Sequence, residues 1–324
     1  MTRKEGSRSE FERIAALATR FGAPSDPSIV RGIGDDAAVL AAAELRTVPS
    51  QLVWTIDAQV EGVHFREDLA SWEDVGWRSF MAAASDVAAM GATPWCALSA
   101  LVLPKTFDDD ALEALTAGQA AAARAVGAAV VGGNLARGSE VSITTTLLGV
   151  CARAVERAVR AGDGIWVAGE LGLSAGGLAA LERKLDASNP EVARAVEAWR
   201  RPRARIEAGL AMAERAHGAI DVSDGLVQDL GHIAAASSVR AVLEATRLAE
   251  HVEPAVAGVA RALGVSALEL AMYGGEDYAL VAASAVPIDG FVRIGRFESG
   301  EGVVLEDQGG KTRPLERRGF DHFR

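Results

Sequence analysis

The chain has 324 residues, 49% of them hydrophobic and 24% charged, and a net charge of −11. That length exceeds one small core and predicts two domains of ordinary size with a globular composition. The acidic surplus excludes a non-specific nucleic-acid binder, which needs a cationic face; a phosphate-bearing ligand must instead be balanced by metal cations or a few local arginines.

The two cysteines, Cys96 and Cys151, stand in apolar surroundings and allow neither a disulfide framework nor a zinc spacing, which predicts a reducing, cytoplasmic setting. The opening MTRKEGSRSEFERI has no apolar stretch of the secretory type. The longest apolar run, residues 87–104, holds Gly91 and Pro94 and reads as a helix end, a turn and a buried strand rather than a membrane span.

In chain order, residues 9–21 predict an amphipathic helix, 37–40 and 52–56 strands, 72–92 a helix and 95–104 a strand. Residues 108–127 predict a helix whose acidic start suits the positive end of the helix dipole. GAAVVGG and EVSITTTLLGV follow as strands, SITTT alternating with period two. A second unit starts near residue 161, with helices at about 174–187, 191–199 and 203–217, a helix after Gly225, and strands at about 276–283, 291–297 and 302–305. The alternation predicts an α/β (α+β) fold in two domains, residues 1–152 and 153–324.

The acids fall in a pattern. GIGDD puts Asp35 and Asp36 behind glycines; Thr55, Ile56 and Asp57 close an apolar strand; Asp86 shares a helical face with the small residues Ser79, Ala82 and Ala83. VVGGN, ending at Asn134, reads either as a phosphate cradle of backbone amides or as a plain turn. In DVSDG, Asp221, Ser223 and Asp224 precede a helix that needs only one side-chain oxygen for its cap. Oxygen-only donors point to Mg²⁺ or Ca²⁺ rather than zinc, and Mg²⁺ arrives with substrate phosphates. A P-loop is excluded, because Leu305 stands where the first glycine before GGKT is required.

GIGDDAAV, TIDAQVEGVHF, SDVAAMGATP, VVGGN, RRPRARIEAG, DVSDGLVQDLGHIAAAS, GGEDYAL and the closing GFDHF resemble, in order, the motifs of the thiamine-monophosphate kinases, of the superfamily typified by aminoimidazole ribonucleotide synthetase. The resemblance runs from about residue 30 to 323. It implies an N-terminal sheet domain that binds ATP and Mg²⁺ and dimerises, a C-terminal α+β domain, and direct transfer of the γ-phosphoryl group of ATP to thiamine monophosphate, assisted by several Mg²⁺ ions and giving thiamine diphosphate. By resemblance, Asp36, Thr55, Ile56, Asp57, Asp86, Asn134, Asp221 and Asp224 are metal-site groups, with Asp57, Asp86 and Asp221 catalytic. Gly133, Asn134, Arg157 and Ser223 are nucleotide contacts, and His64, Glu276 and Phe320 thiamine-phosphate contacts. Asp35 supports its turn.

Three positions depart from the family pattern: Asn134 where Asp is frequent, Ile56 where Thr or Ser is frequent, which leaves only a backbone carbonyl for a metal, and Leu173 where Asp is usual. Selenophosphate synthetase would need a reactive cysteine near the N-terminus, and the hydrogenase-maturation relative a C-terminal one; the chain has neither. A catalytically silent Mg–nucleotide binder is disfavoured by the near-complete set of acids.

Overall fold

The computed structural model describes residues 10–22, 25–31, 39–40 and 51–316. The chain divides into two compact units, residues 1–87 with 93–152, and residues 88–92 with 153–324.

The first unit holds α1 (Glu10–Phe21), β1 (Ile29–Arg31), β2 (Val39–Leu40), β3 (Gln51–Val60), α2 (Trp72–Ala89, of which the last two residues group with the second unit), β4 (Thr93–Leu103), α3 (Asp109–Ala125), β5 (Ala129–Arg137) and β6 (Ser142–Cys151). Its four-stranded sheet runs β3-β6-β4-β5, parallel only between β4 and β5. The SITTTLL alternation buries Ile143, Thr145 and Leu147 on one face, each fully buried aliphatic contributing roughly 1.5–3 kcal/mol. The other face is left open, with Leu52, Trp54, Ile56 and Leu98 exposed. α3 starts as its acids demand: Asp108 accepts the N–H of Ala111, and Asp109 and Asp110 follow in the first turn.

α2 and α3 pack at backbone distance. A Cβ at Gly76 would lie 1.8 Å from the carbonyl oxygen of Leu115, and one at Gly118 would lie 1.9 Å from that of Glu73. The two helices therefore touch through a reciprocal pair of glycines, which fixes α2 over the sheet.

The second unit follows with β7 (Gly164–Ala168), α4 (Leu173–Glu182), α5 (Pro190–Arg200), α6 (Ile206–Met212), β8 (Gly218–Asp221), α7 (Leu226–Ser237), β9 (Val239–Glu244), α8 (Ala245–His251), α9 (Pro254–Leu263), α10 (Ala267–Tyr273), β10 (Leu280–Ser284), β11 (Val292–Ser299), β12 (Gly302–Glu306) and β13 (Thr312–Pro314). Its sheet has the order β13-β12-β9-β11-β7-β10-β8. α7 presses Leu226, Leu230 and Ile233 into a core with Ile165, Leu243, Ile294 and Phe297. A second core joins α4, α5 and α9 through Leu173, Val192, Ala195, Val256 and Val259. Leu173 is thus a packing residue, whatever its counterpart does in relatives.

Several elements differ from their sequence-based limits. β3 runs on past Ile56 to Val60, so Asp57 is inside a strand. β5 includes Gly132, Gly133 and Asn134, paired in register with Leu98, Ser99 and Ala100, so VVGGN is strand rather than a turn. A Cβ at Gly133 would sit 1.9 Å from the carbonyl oxygen of Ser99, so close strand contact explains that glycine. The strand expected from 276 starts only at Leu280, because Glu276 and Tyr278 adopt φ of 61° and 49°. α4 ends at Glu182, next to Lys184 at φ 53°. α6 covers only part of 203–217. Among the described residues no single helix is long and apolar enough to cross a membrane.

The glycine pair makes a prediction with opposed signs. By helix propensity, Gly118→Ala would stabilise α3 by about 1 kcal/mol. By contact it drives a methyl group into the backbone of α2, and overpacking of that kind costs about 1–3 kcal/mol. Urea denaturation of Gly118→Ala is expected to show net destabilisation.

Candidate active site

In the first unit, the sheet face beneath α2 is polar where it should be apolar. Thr55, Asp57 and Gln59 alternate along β3 on that face. Thr55 Oγ1 donates to Asp86 Oδ2 at 2.5 Å, and the Thr55 carbonyl accepts from Thr146 Oγ1 at 2.8 Å. Gln59 Nε2 donates to Asp57 Oδ1 at 3.0 Å. Thr145, directly across from Asp57 and fully buried, has no partner for Oγ1, nor has Gln59 for Oε1. Behind them Ser99 Oγ donates to Gln119 Oε1, Gln119 Nε2 to Ser79 Oγ, and Ser79 Oγ to the Gly76 carbonyl, a buried polar chain that ties β4 to α3 and α2.

Ile56 points the opposite way, its side chain 67% exposed beside Trp54 on the open face. His64 lies in the turn after β3; its Nδ1 accepts the N–H of Val60 at 3.1 Å, which leaves the ring proton on Nε2. Gly133 and Asn134 are exposed on β5.

In the second unit, Asp221 ends β8 and is 5% exposed, paired in register with Leu280. The turn after it is laced to GGEDY: Val222 N–H donates to the Ala279 carbonyl, Tyr278 N–H to the Val222 carbonyl, and Glu276 N–H to the Ser223 carbonyl. Gly225, at φ 115°, takes the turn into α7 where a Cβ would stand 2.9 Å from the Tyr273 carbonyl oxygen. Asp224 Oδ2 accepts from Gln228 Nε2 at 3.2 Å. Glu276 Oε2 accepts from the buried Trp199 Nε1 at 3.0 Å. Arg157 is exposed, and its carbonyl accepts from Ser237 Oγ at the last turn of α7. That places its backbone at the far end of the helix from Ser223, about 18 Å away by helical rise.

Two carboxylates that sequence reasoning passed over organise this region. Asp229, nearly buried in the first turn of α7, accepts the N–H groups of Ser223, Asp224 and Gly225 on one oxygen. Burial, then the neighbouring Asp221 and Asp224, push its carboxyl up to about 8 against those amide hydrogen bonds. Asp277 accepts from Gly172 N–H at 2.5 Å and Ser174 N–H at 2.9 Å. It caps α4 from across the sequence, because the N-cap residue Gly172 has no side chain to do so. Burial pushes Asp277 up to about 7; the two amides oppose this, and Glu170 and Glu276 add to it. The acid in the first turn behind a glycine was a readable signal for Asp229; nothing local signalled Asp277.

Among the described residues no group of three or more His, Cys, Asp or Glu side chains is arranged to hold a metal ion. Asp36 and Phe320 lie outside the described residues.

The two-unit fold with its aspartate clusters is that of a known class. Residues 34–151 match the AIR synthase related protein, N-terminal domain, and 160–305 match the AIR synthase related protein, C-terminal domain. The thiamine-monophosphate kinase of Aquifex aeolicus is 33% identical over 296 residues, 90% of this chain and 92% of that one. A solved thiamine-monophosphate kinase from Stenotrophomonas maltophilia aligns with a TM-score of 0.77 at 34% identity, over 90% of this chain and 94% of that one. AaThiL complexed with AMPPCP and TMP aligns with a TM-score of 0.79 at 31% identity, over 100% of this chain and 99% of that one. The chain belongs to the thiamine-monophosphate kinase family.

Asp277 generates a pH prediction. Its folded value lies near 7, above the unfolded value of about 3.9. A carboxyl raised on folding contributes most below the unfolded value and less as pH rises through the folded one. The stability gap between wild type and Asp277→Ala is therefore expected to be largest near pH 4 and to shrink up to about pH 7, read by denaturation at each pH.

Proposed function

We propose that this chain transfers the γ-phosphoryl group of ATP directly to thiamine monophosphate, giving thiamine diphosphate and ADP. The observation that carries the reading is the full-length likeness, in sequence and fold, to a relative solved with AMPPCP and TMP. One Pγ–O bond to ADP breaks, and one forms to a phosphate oxygen of thiamine monophosphate. That oxygen is already anionic near neutral pH, so no strong general base is needed. The demand is to align and neutralise two polyanions.

The donors fit Mg²⁺. They are oxygens throughout, as suits a hard cation that binds through one or two carboxylates plus phosphates. Asp57, Asp86, Thr55, Asn134, the Ile56 carbonyl and Asp36 would hold Mg²⁺ ions in the first unit, and Asp221 and Asp224 would do so in the second. When bound, Mg²⁺ offsets phosphate charge. The chain's own residues prepare this: Thr55 orients Asp86, Gln59 orients Asp57, and Gln228 orients Asp224. Gly133, Asn134, Ser223 and Arg157 serve ATP. His64, offering an Nε2 donor, together with Glu276, fixed by Trp199, and Phe320, serves thiamine monophosphate.

The open sheet face supports a homodimer. Leu52, Trp54, Ile56 and Leu98 form an apolar surface of the kind that marks association.

Purified protein with ATP, Mg²⁺ and thiamine monophosphate is expected to form thiamine diphosphate, and EDTA to stop it; no product at saturating Mg²⁺ overturns the reading. Asp86→Asn should lower turnover by at least the ~10–100-fold that losing even an outer partner of a metal ligand costs, with an unchanged far-UV spectrum. Trp54→Asp is expected to turn a sedimenting dimer into a monomer.

A further inference from the structure

The N–H groups of Ser223, Asp224 and Gly225 donate to a single atom, Asp229 Oδ2, at 3.1, 3.2 and 3.1 Å. They lead into α7, a 12-residue helix. Free amides in that arrangement make a concave anion site suited to a phosphate oxygen. Here the position is filled by the chain itself. Asp229 is only 3% exposed, and its own N–H donates to the Gly225 carbonyl at 3.0 Å, so carboxylate and turn are tied reciprocally. What the turn still carries are side-chain oxygens: Ser223 and Asp224, both half-buried, beside the buried Asp221 at the end of β8.

We infer that Asp229 is a positioning residue, an internal acceptor whose carboxyl oxygen fills the amide nest of this turn, so that the turn offers side-chain oxygens to a divalent cation and no amides to a phosphate. The inference rests on the proposed assignment of Asp221 and Asp224 as cation ligands.

The test compares wild type, Asp229→Asn and Asp229→Ala, with Mn²⁺ as the cation probe and inorganic phosphate as the anion probe. Asn keeps one carbonyl oxygen for the amides; Ala keeps none. In Asp229→Ala, amide exchange of residues 223–225 is expected to accelerate and Mn²⁺ affinity to fall by ~10-fold or more, while inorganic phosphate gains binding that wild type lacks. Asp229→Asn should restore amide protection and exclude phosphate again. Unchanged Mn²⁺ affinity and protection in Asp229→Ala, or Asn failing to rescue, overturns the proposal. Should the alanine variant not fold, wild type still decides: amides 223–225 exchanging as fast as open chain, or binding of phosphate at this turn, overturns it. None of these readouts needs thiamine diphosphate formation, so failure here is distinct from failure of the proposed reaction.

Discussion

Carboxylates repel one another, and everything notable in this chain follows from how they are held. Two like charges 4 Å apart near a protein surface cost about 4 kcal/mol, and a hydrogen bond to a charged group returns about 1.5–3 kcal/mol. A donor to each acid therefore offsets part of the cost. Asp86 has Thr55, Asp57 has Gln59, Asp224 has Gln228 and Glu276 has Trp199. The buried Asp229 takes three amides and still has its carboxyl pushed up to about 8. Under the proposed function, a cation would relieve the remaining repulsion and let a protein of net charge −11 receive phosphate compounds.

Such a site works only if the acids cannot swing apart. Glycines supply that stiffness by letting backbones meet. Gly76 and Gly118 lock α2, and with it Asp86, against α3. Gly133 draws β5 onto β4, and Gly225 turns the chain from β8 into α7 where no side chain fits. Buried polar side chains do the rest, as in the Ser99–Gln119–Ser79 chain.

Much of this was legible in the sequence. The triple Asp at 108–110 marked the start of α3, and SITTTLL gave its buried face away by alternation. The family was legible from the order of its motifs. Less legible were places where polar residues sit inside regular structure. Thr55, Ile56 and Asp57 read as a strand ending, yet β3 continues to Val60, with polar side chains on its buried face. Gly132 to Asn134 read as a turn and proved to be strand, since the reason for the glycine lies on the neighbouring strand. The stretch holding β9 and α8 to α10 went unread: its short elements lack long periodic faces. Asp277 was invisible because its partners, Gly172 and Ser174, lie more than 100 residues away. The chemistry assigned to Asp36 and Phe320 stands on resemblance.

The left-handed backbone at Glu276 and Tyr278 has an evolutionary consequence. A glycine at 276 would relax the chain there, since glycine adopts positive φ without penalty, and the protein would gain ruggedness. It would also lose the carboxylate that Trp199 holds in place. Backbone relaxation and retention of the carboxylate that Trp199 holds thus pull this one codon in opposite directions.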